Sequence, residues 1–336
     1  MHPLLRTAAD RQLGLFTAVD ARRAGYEHGE IRHLCSSGAW TRVRRGVYAV
    51  TEELATARSA GRGHAVDCTA VLLDLGRPEA AVSHTSALRL LGLPARRALL
   101  PDTVRLTHPD LWRRGRGFSV NAAPLPPGDV TTRGSLRLTT PARTLVDCAR
   151  EWDLVDAVVA LDAALHGSLV LRSDLTATVL RQSHWLGIGS AARAVELADG
   201  RAESPLETRG RLGLRDAGFH AFESQVEVHG PAGLVARVDG WLEDIGVALE
   251  FDGLVKYTDP YDGRTPAEVA WREKLREDAI RDLDIPVLRI VQADLPRLER
   301  PVRRLHELAR RAQIGPRRFR VVRRPEPGAE PGDEAA

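Results

Sequence analysis

Asp239, Glu250 and Asp252 stand close together in the stretch Arg-Val-Asp-Gly-Trp-Leu-Glu-Asp-Ile-Gly-Val-Ala-Leu-Glu-Phe-Asp-Gly, residues 237–253. Val247, Leu249 and Phe251 alternate with Glu250 and Asp252, the period-two pattern of a strand with one apolar face. Both acids then project from the opposite face. With a turn centred on Glu243-Asp244, Asp239 falls opposite Ala248 and diagonal to Glu250. Diagonal cross-strand neighbours lie about 7–8 Å apart, a gap that two carboxylates close around a shared cation. The two lysines among the 48 basic residues, Lys256 and Lys274, both follow this hairpin. A chain that otherwise uses arginine keeps lysine where a compact ammonium is wanted. Asp239-Gly240 and Asp252-Gly253 also read as ordinary strand ends, because Asp-Gly pairs favour turns.

The elements that must position these acids come in a recognisable order. Ser204-Pro205-Leu206-Glu207 joins a capping box to proline at the first helical position. Gln225–Val228, the acidic hairpin, a charged helix from Pro266 to about Leu283 and the apolar strand 286–291 follow. Lys274, Asp278 and Arg281 share one face of that helix, where the two cations would meet phosphate oxygens or pair internally.

This pattern, with Arg209, Val238, Gly253, Arg276, Leu283 and Arg289, resembles the Vsr-like domains of the PD-(D/E)XK nuclease superfamily, including domain-of-unknown-function family 559. The resemblance spans roughly residues 203–291. It implies a restriction-endonuclease-like mixed sheet flanked by helices. Asp239 and Glu250 would hold Mg²⁺ or Mn²⁺, Asp252 would be a third ligand, and Glu207 a supporting acid. The superfamily's Glu-x-Lys is here Glu250-Phe251-Asp252, and Lys256 becomes the candidate water-orienting cation.

Upstream, Thr17 is placed to cap a short helix that Gly25 ends, and a second helix runs from about His28 to Ser36. Two short strands around a basic turn follow, from Trp40 to Tyr48. Helix, turn, helix and wing is the winged helix-turn-helix order. Arg32 on the second helix and Arg42, Arg44 and Arg45 on the wing are the candidate DNA-binding residues. Phe16-Thr17-Ala18, Ala24-Gly25 and Trp40-x-Arg42-x-x-x-Gly46-Val47-Tyr48 resemble the N-terminal domain of AbiEi-type antitoxins. That resemblance implies DNA binding, commonly for autoregulation, with a cognate toxin as a further candidate partner. Thr139-Thr140-Pro141-Ala142-Arg143-Thr144-Leu145-Val146-Asp147 resembles the same proteins and reads as a strand followed by a proline-initiated helix.

The expected division is a winged helix over 1–50, an α/β region over 51–150 and a helical connector over 151–200. The nuclease-like domain then covers 201–314, and a basic, then acidic, disordered tail covers 315–336. The class is α/β, more closely α+β. His84 and His108 have no companion at catalytic spacing, and His84 reads as a helix-start packing residue. Cys35, Cys68 and Cys148 are widely spaced and lack zinc-ligand spacing. No run of about 18 apolar residues suggests a membrane span, and Met-His-Pro-Leu-Leu-Arg does not open a signal core. The expected location is therefore the cytoplasm. The net charge of +3 is small, but arginines cluster at 42–45, 113–116 and 317–324, which favours a polyanionic partner. Two functions follow: a DNA-binding protein with a Mg²⁺-dependent endonuclease domain, or a non-enzymatic regulator or antitoxin.

Overall fold

A computed structural model describes residues 1–253, 265–311 and 317–327. The architecture is mixed α+β, and the chain divides into two compact units, Met1–Glu151 and Trp152–Ala336. No described helix is long and apolar enough to cross a membrane.

The first unit begins with α1 (Pro3–Arg11), β1 (Leu15–Thr17), α2 (Ala18–Arg23), α3 (His28–Ser36), β2 (Trp40–Arg44) and β3 (Val47–Val50). Thr17 caps α2 reciprocally: its hydroxyl accepts the Asp20 amide at 3.1 Å, and the Asp20 carboxylate accepts the Thr17 amide at 2.8 Å. Gly25, at φ +90°, then turns the chain out of the helix. The strands pair antiparallel in the order β1-β3-β2. Phe16 packs edge-on against Trp40 at 4.6 Å, over Leu5 and Ile31. Helix α1 and strand β1 were not anticipated. Only Leu5 and Ala9 of α1 are buried, too few to raise an apolar stripe.

After α4 (Thr51–Ala57) and α5 (Gly63–Leu75) comes a six-stranded sheet. Its strands are β4 (Ala81–Val82), β5 (Val104–His108), β6 (Arg113–Gly115), β7 (Phe118–Ala122), β8 (Val130–Arg133) and β9 (Leu136–Thr139), in the order β6-β7-β5-β4-β9-β8. Helices α6 (His84–Leu91) and α7 (Pro141–Ala149) complete it. The Thr139–Asp147 stretch is a buried ionic lock. Thr140 caps α7, and Arg143, 1% exposed, donates to Asp147 at 2.8 Å, Asp129 at 2.8 Å and the Pro124 carbonyl at 3.0 Å.

The second unit comprises α8 (Leu154–His166), α9 (Arg172–Arg181), α10 (Ile188–Leu197), α11 (Pro205–Asp216), β10 (Phe222–Gly230), β11 (Gly233–Leu242) and β12 (Val247–Asp252). These lead to α12 (Pro266–Arg281), β13 (Val287–Val291), α13 (Glu299–Arg311) and β14 (Arg320–Arg323). The sheet order is β13-β12-β11-β10-β14, antiparallel except for the parallel β12–β13 pair that α12 connects.

Two segments carry more structure than their expected roles. The segment 151–200 is no bare connector, because Asp162 on α8 accepts from Thr208 and Arg211 on α11, both at 2.8 Å, and from the Asp199 amide at 2.7 Å. The segment 315–336 is not wholly a disordered tail: Arg320–Arg323 pairs with β10, and Glu326 accepts from Arg172 at 2.6 Å. Every residue of β12 is buried, with Leu249 and Phe251 in one apolar cluster and Ala248 in another.

Candidate functional site

Two groups of charged side chains emerge, one in each unit. In the first, α3 exposes Arg32, β2 exposes Arg42, and the turn between β2 and β3 exposes Arg45. Gly46 makes that turn at φ +69°. Arg44 differs. It pairs with Asp74 at 3.0 Å, donates to the Arg116 carbonyl at 3.3 Å and lies over the Phe118 ring at 4.9 Å. Its guanidinium is an internal tether, unlike those of Arg42 and Arg45.

His84 opens α6 at φ +49°, buried, with Nδ1 2.9 Å from the Ser83 hydroxyl and Nε2 3.2 Å from the Asn121 amide. Burial holds its pKa well below the ordinary imidazole range, so the ring is neutral. His108 accepts the backbone amides of Asp110 and Leu111 at 3.1 Å. Both histidines serve structural hydrogen bonds.

In the second unit the acids form a row across the sheet. Leu242 pairs with Val247, so the hairpin turn takes four residues, 243–246, with Gly246 at φ +62°. Continuing the register from Gly240↔Leu249 sets Asp239 beside Glu250, not diagonal to it as a turn on Glu243-Asp244 implied. On the other side, Ser224↔Gly240 and Val226↔Val238 bracket Gln225 against Asp239. Glu250 in turn pairs with Arg289 on β13. Gln225, Asp239, Glu250 and Arg289 thus occupy neighbouring positions on four strands.

Each acid has a definite partner. Gln225 sits at φ +51° and is 2% exposed, and its side-chain amide donates to Glu207 at 2.9 Å and Asp239 at 3.5 Å. Ser204 caps α11 by accepting the Glu207 amide at 3.2 Å, but the Glu207 carboxylate accepts the Glu203 amide at 2.9 Å and the Ser204 hydroxyl at 2.8 Å, so the reciprocal bond of a full capping box to the Ser204 amide is not formed. Burial, and then the charge of Asp239, raise the Glu207 pKa. Asp239 accepts the Phe251 amide at 2.8 Å. Glu250 accepts from Arg276 at 2.7 Å, and Asp252 pairs with Arg289 at 2.9 Å. Gly210 brings α11 against β12 here, since a Cβ on it would lie 2.1 Å from the Phe251 ring.

Asp239 and Glu250 come together in the strand register, and Asp252, two residues on, pairs with Arg289. Among the described residues no group of three or more His, Cys, Asp or Glu is arranged to hold a metal ion. Lys256 lies outside the described residues. Lys274 is exposed on α12, and Arg281 pairs with Asp278 at 3.3 Å. Sequence reasoning missed the roles of Gln225 and Arg276 at the site. Their place in the motif was visible, but which acid each holds depends on tertiary packing.

Against this geometry, residues 3–51 match the family described as "Transcriptional regulator, AbiEi antitoxin". The uncharacterized proteins MT2308 and Rv2248, from the CDC 1551 / Oshkosh and H37Rv strains of Mycobacterium tuberculosis, are each 30% identical over 266 residues, 78% of this chain and 89% of theirs. The chain belongs to the family of these mycobacterial proteins. A crystal structure of the RV2827C protein from Mycobacterium tuberculosis is similar over 56% of this chain and 77% of its own, at 18% identity and a TM-score of 0.37. Within the family member described here, the AbiEi-like regulator domain coincides with the helices and three-stranded sheet that expose Arg32, Arg42 and Arg45.

Proposed function

We propose that this protein is a DNA-binding transcriptional regulator, with α3 and the β2–β3 wing facing the duplex. The observation that carries the reading is a wing whose Arg42 and Arg45 are exposed and, among the described residues, pair with no carboxylate, within the AbiEi-like segment. Such guanidiniums meet phosphates by displacing condensed counterions, so binding weakens steeply with salt. The test is fluorescence anisotropy with a duplex from upstream of its own coding region. Arg42→Ala/Arg45→Ala should lower the slope of log K against log salt by about two. An unchanged slope would overturn the assignment. The antitoxin in the family description makes a cognate toxin a candidate partner, to be sought by co-purification from its native host.

A second reading is metal-dependent phosphodiester hydrolysis by the C-terminal unit. The α11-β10-β11-β12-α12-β13 order, with Asp239 beside Glu250, favours it. The donors are all oxygen, which suits Mg²⁺ or Mn²⁺. The Gln225 side-chain oxygen is buried and, among the described residues, lacks a hydrogen-bond partner beside the same acids. Asp239 and Glu250 would be the holding residues with Asp252 as a third, the Arg276–Glu250 and Arg289–Asp252 pairs both being displaced by an entering cation. A bound cation would acidify water and stabilise charge on the scissile phosphate. The chain's own part is to keep the two carboxylates adjacent, with the Phe251 amide on Asp239 and Arg276 on Glu250. Cleavage assays with Mg²⁺ and Mn²⁺ should show activity that Glu250→Gln abolishes. Metal should also raise the melting temperature of wild type but not of Asp239→Asn/Glu250→Gln. No cleavage, with identical melting responses, would remove this reading.

A further inference from the structure

We infer that the β6–β7 hairpin is a second DNA-contacting arm, clasped to the wing so that the two act as one basic surface. The inference rests on the DNA-binding reading above and extends it well beyond the residues of the AbiEi-like segment.

Strand β6 is the edge of the six-stranded sheet and reads Arg113-Arg114-Gly115, every residue exposed. Arg114 pairs with Ser119 and Gly115 with Phe118, so Arg116 and Gly117 form a two-residue turn, with Gly117 at φ +74°. Arg116 therefore stands at the tip. Among the described residues, none of Arg113, Arg114 and Arg116 pairs with a carboxylate. Alternation sets Arg114 with Trp112 on one face and Arg113 with Gly115 on the other. The Trp112 ring, 65% exposed, lies 5.7 Å from the Arg114 guanidinium in a cation–π contact.

The clasp is Arg44. From the wing it donates to the Arg116 carbonyl at 3.3 Å and covers the Phe118 ring at 4.9 Å, while Arg113 lies 5.8 Å from the same ring. Gly115 makes this contact feasible, because a Cβ there would lie 2.2 Å from Phe118. Three acids near the junction are matched: Asp74 with Arg44 at 3.0 Å, Asp67 with Arg58 at 3.4 Å, and Asp102 with Arg89 at 3.6 Å. The surface left open is cationic, made of Arg42 and Arg45 on one side of the clasp and Arg113, Arg114 and Arg116 on the other. A duplex phosphate backbone is the partner such a surface fits, because a row of guanidiniums matches regularly spaced phosphates.

Anisotropy titrations of the full chain across salt concentrations test this with three proteins besides wild type. Arg113→Ala/Arg114→Ala/Arg116→Ala should lower the salt slope by up to about three, and the corresponding triple lysine variant should retain it. Arg42→Ala/Arg45→Ala supplies the wing's own loss. A hairpin triple-alanine variant that melts like wild type yet keeps its slope, while the wing variant loses slope, would overturn the inference and leave the regulator reading standing. Absence of DNA binding by wild type would overturn both.

Discussion

The two units treat charge in opposite ways. In the first, Arg42, Arg45, Arg113, Arg114 and Arg116 are exposed, and ionic pairing in the interior is concentrated in the Arg143 lock. In the second, the acids lie inside, met by arginine: Asp162 by Arg211, Asp156 by Arg209, Glu250 by Arg276 and Asp252 by Arg289. The difference bears directly on function. Exposed guanidiniums meet a polyanion by releasing its condensed counterions, which favours binding and requires no change to the fold. Buried carboxylates must exchange an internal cation for an external one, so occupancy there is coupled to rearrangement.

The contrast is broken most severely at the Arg143 lock. Arg143→Met deprives Asp129 and Asp147 of their shared guanidinium in the interior. We expect a loss of about 3–5 kcal/mol, enough to unfold much of the first unit. A single Arg113→Ala change, on the exposed side of the comparison, should cost under about 0.5 kcal/mol. Urea melts followed by circular dichroism read both. Equal effects from the two variants would dissolve the distinction.

How far this contrast was legible in the sequence differs by element. The strand-helix order of the second unit was readable, because Val247, Leu249 and Phe251 alternate and Ser204-Pro205 announces α11. The register was not: the turn closes over four residues, and only the left-handed Gly246 reveals it. Strand β6 escaped because its residues are all exposed, leaving no apolar alternation to detect. Strand β14 escaped because its partner β10 lies far upstream. Arg44 looked like its neighbours Arg42 and Arg45; nothing local shows that Asp74 and the Arg116 carbonyl claim it. Long guanidiniums choose partners through tertiary packing, so charge clusters in a sequence do not reveal which members remain free.

A smaller effect sharpens the interior side. Burial pushes the Asp162 carboxyl up to about 6 from 3.8, outweighing Arg211 and the hydrogen bonds from Thr208 and the Asp199 amide. Between these values the folded state binds a proton that the unfolded state does not. Stability from this group is therefore largest below about pH 4 and is lost as pH rises through 6. Urea melts at pH 5 and 7.5 should differ by about 1 kcal/mol more in wild type than in Asp162→Asn. An identical pH dependence in the two proteins would show that the interior tolerates this carboxylate without cost.

The smallest effect tests whether the acidic row is one electrostatic unit. Glu207 titrates above the ordinary carboxyl range first because it is buried, and next because Asp239 is near. Asp239→Asn removes the second cause and leaves the first. Gln225 still donates to Glu207, so the hydrogen bond that favours its ionised form survives. The Glu207 carboxyl, followed by carbon-detected NMR across a pH titration, should therefore titrate lower in the variant while remaining above an exposed glutamate. An unchanged midpoint would mean that Gln225 insulates the two acids, and a cation placed near Asp239 would then gain nothing from Glu207. A lowered midpoint has the opposite consequence. Since Asp239⁻ and Glu207⁻ repel each other, a cation on Asp239 would relieve that repulsion, shift Glu207 in the same direction as Asp239→Asn, and draw part of its binding energy from doing so.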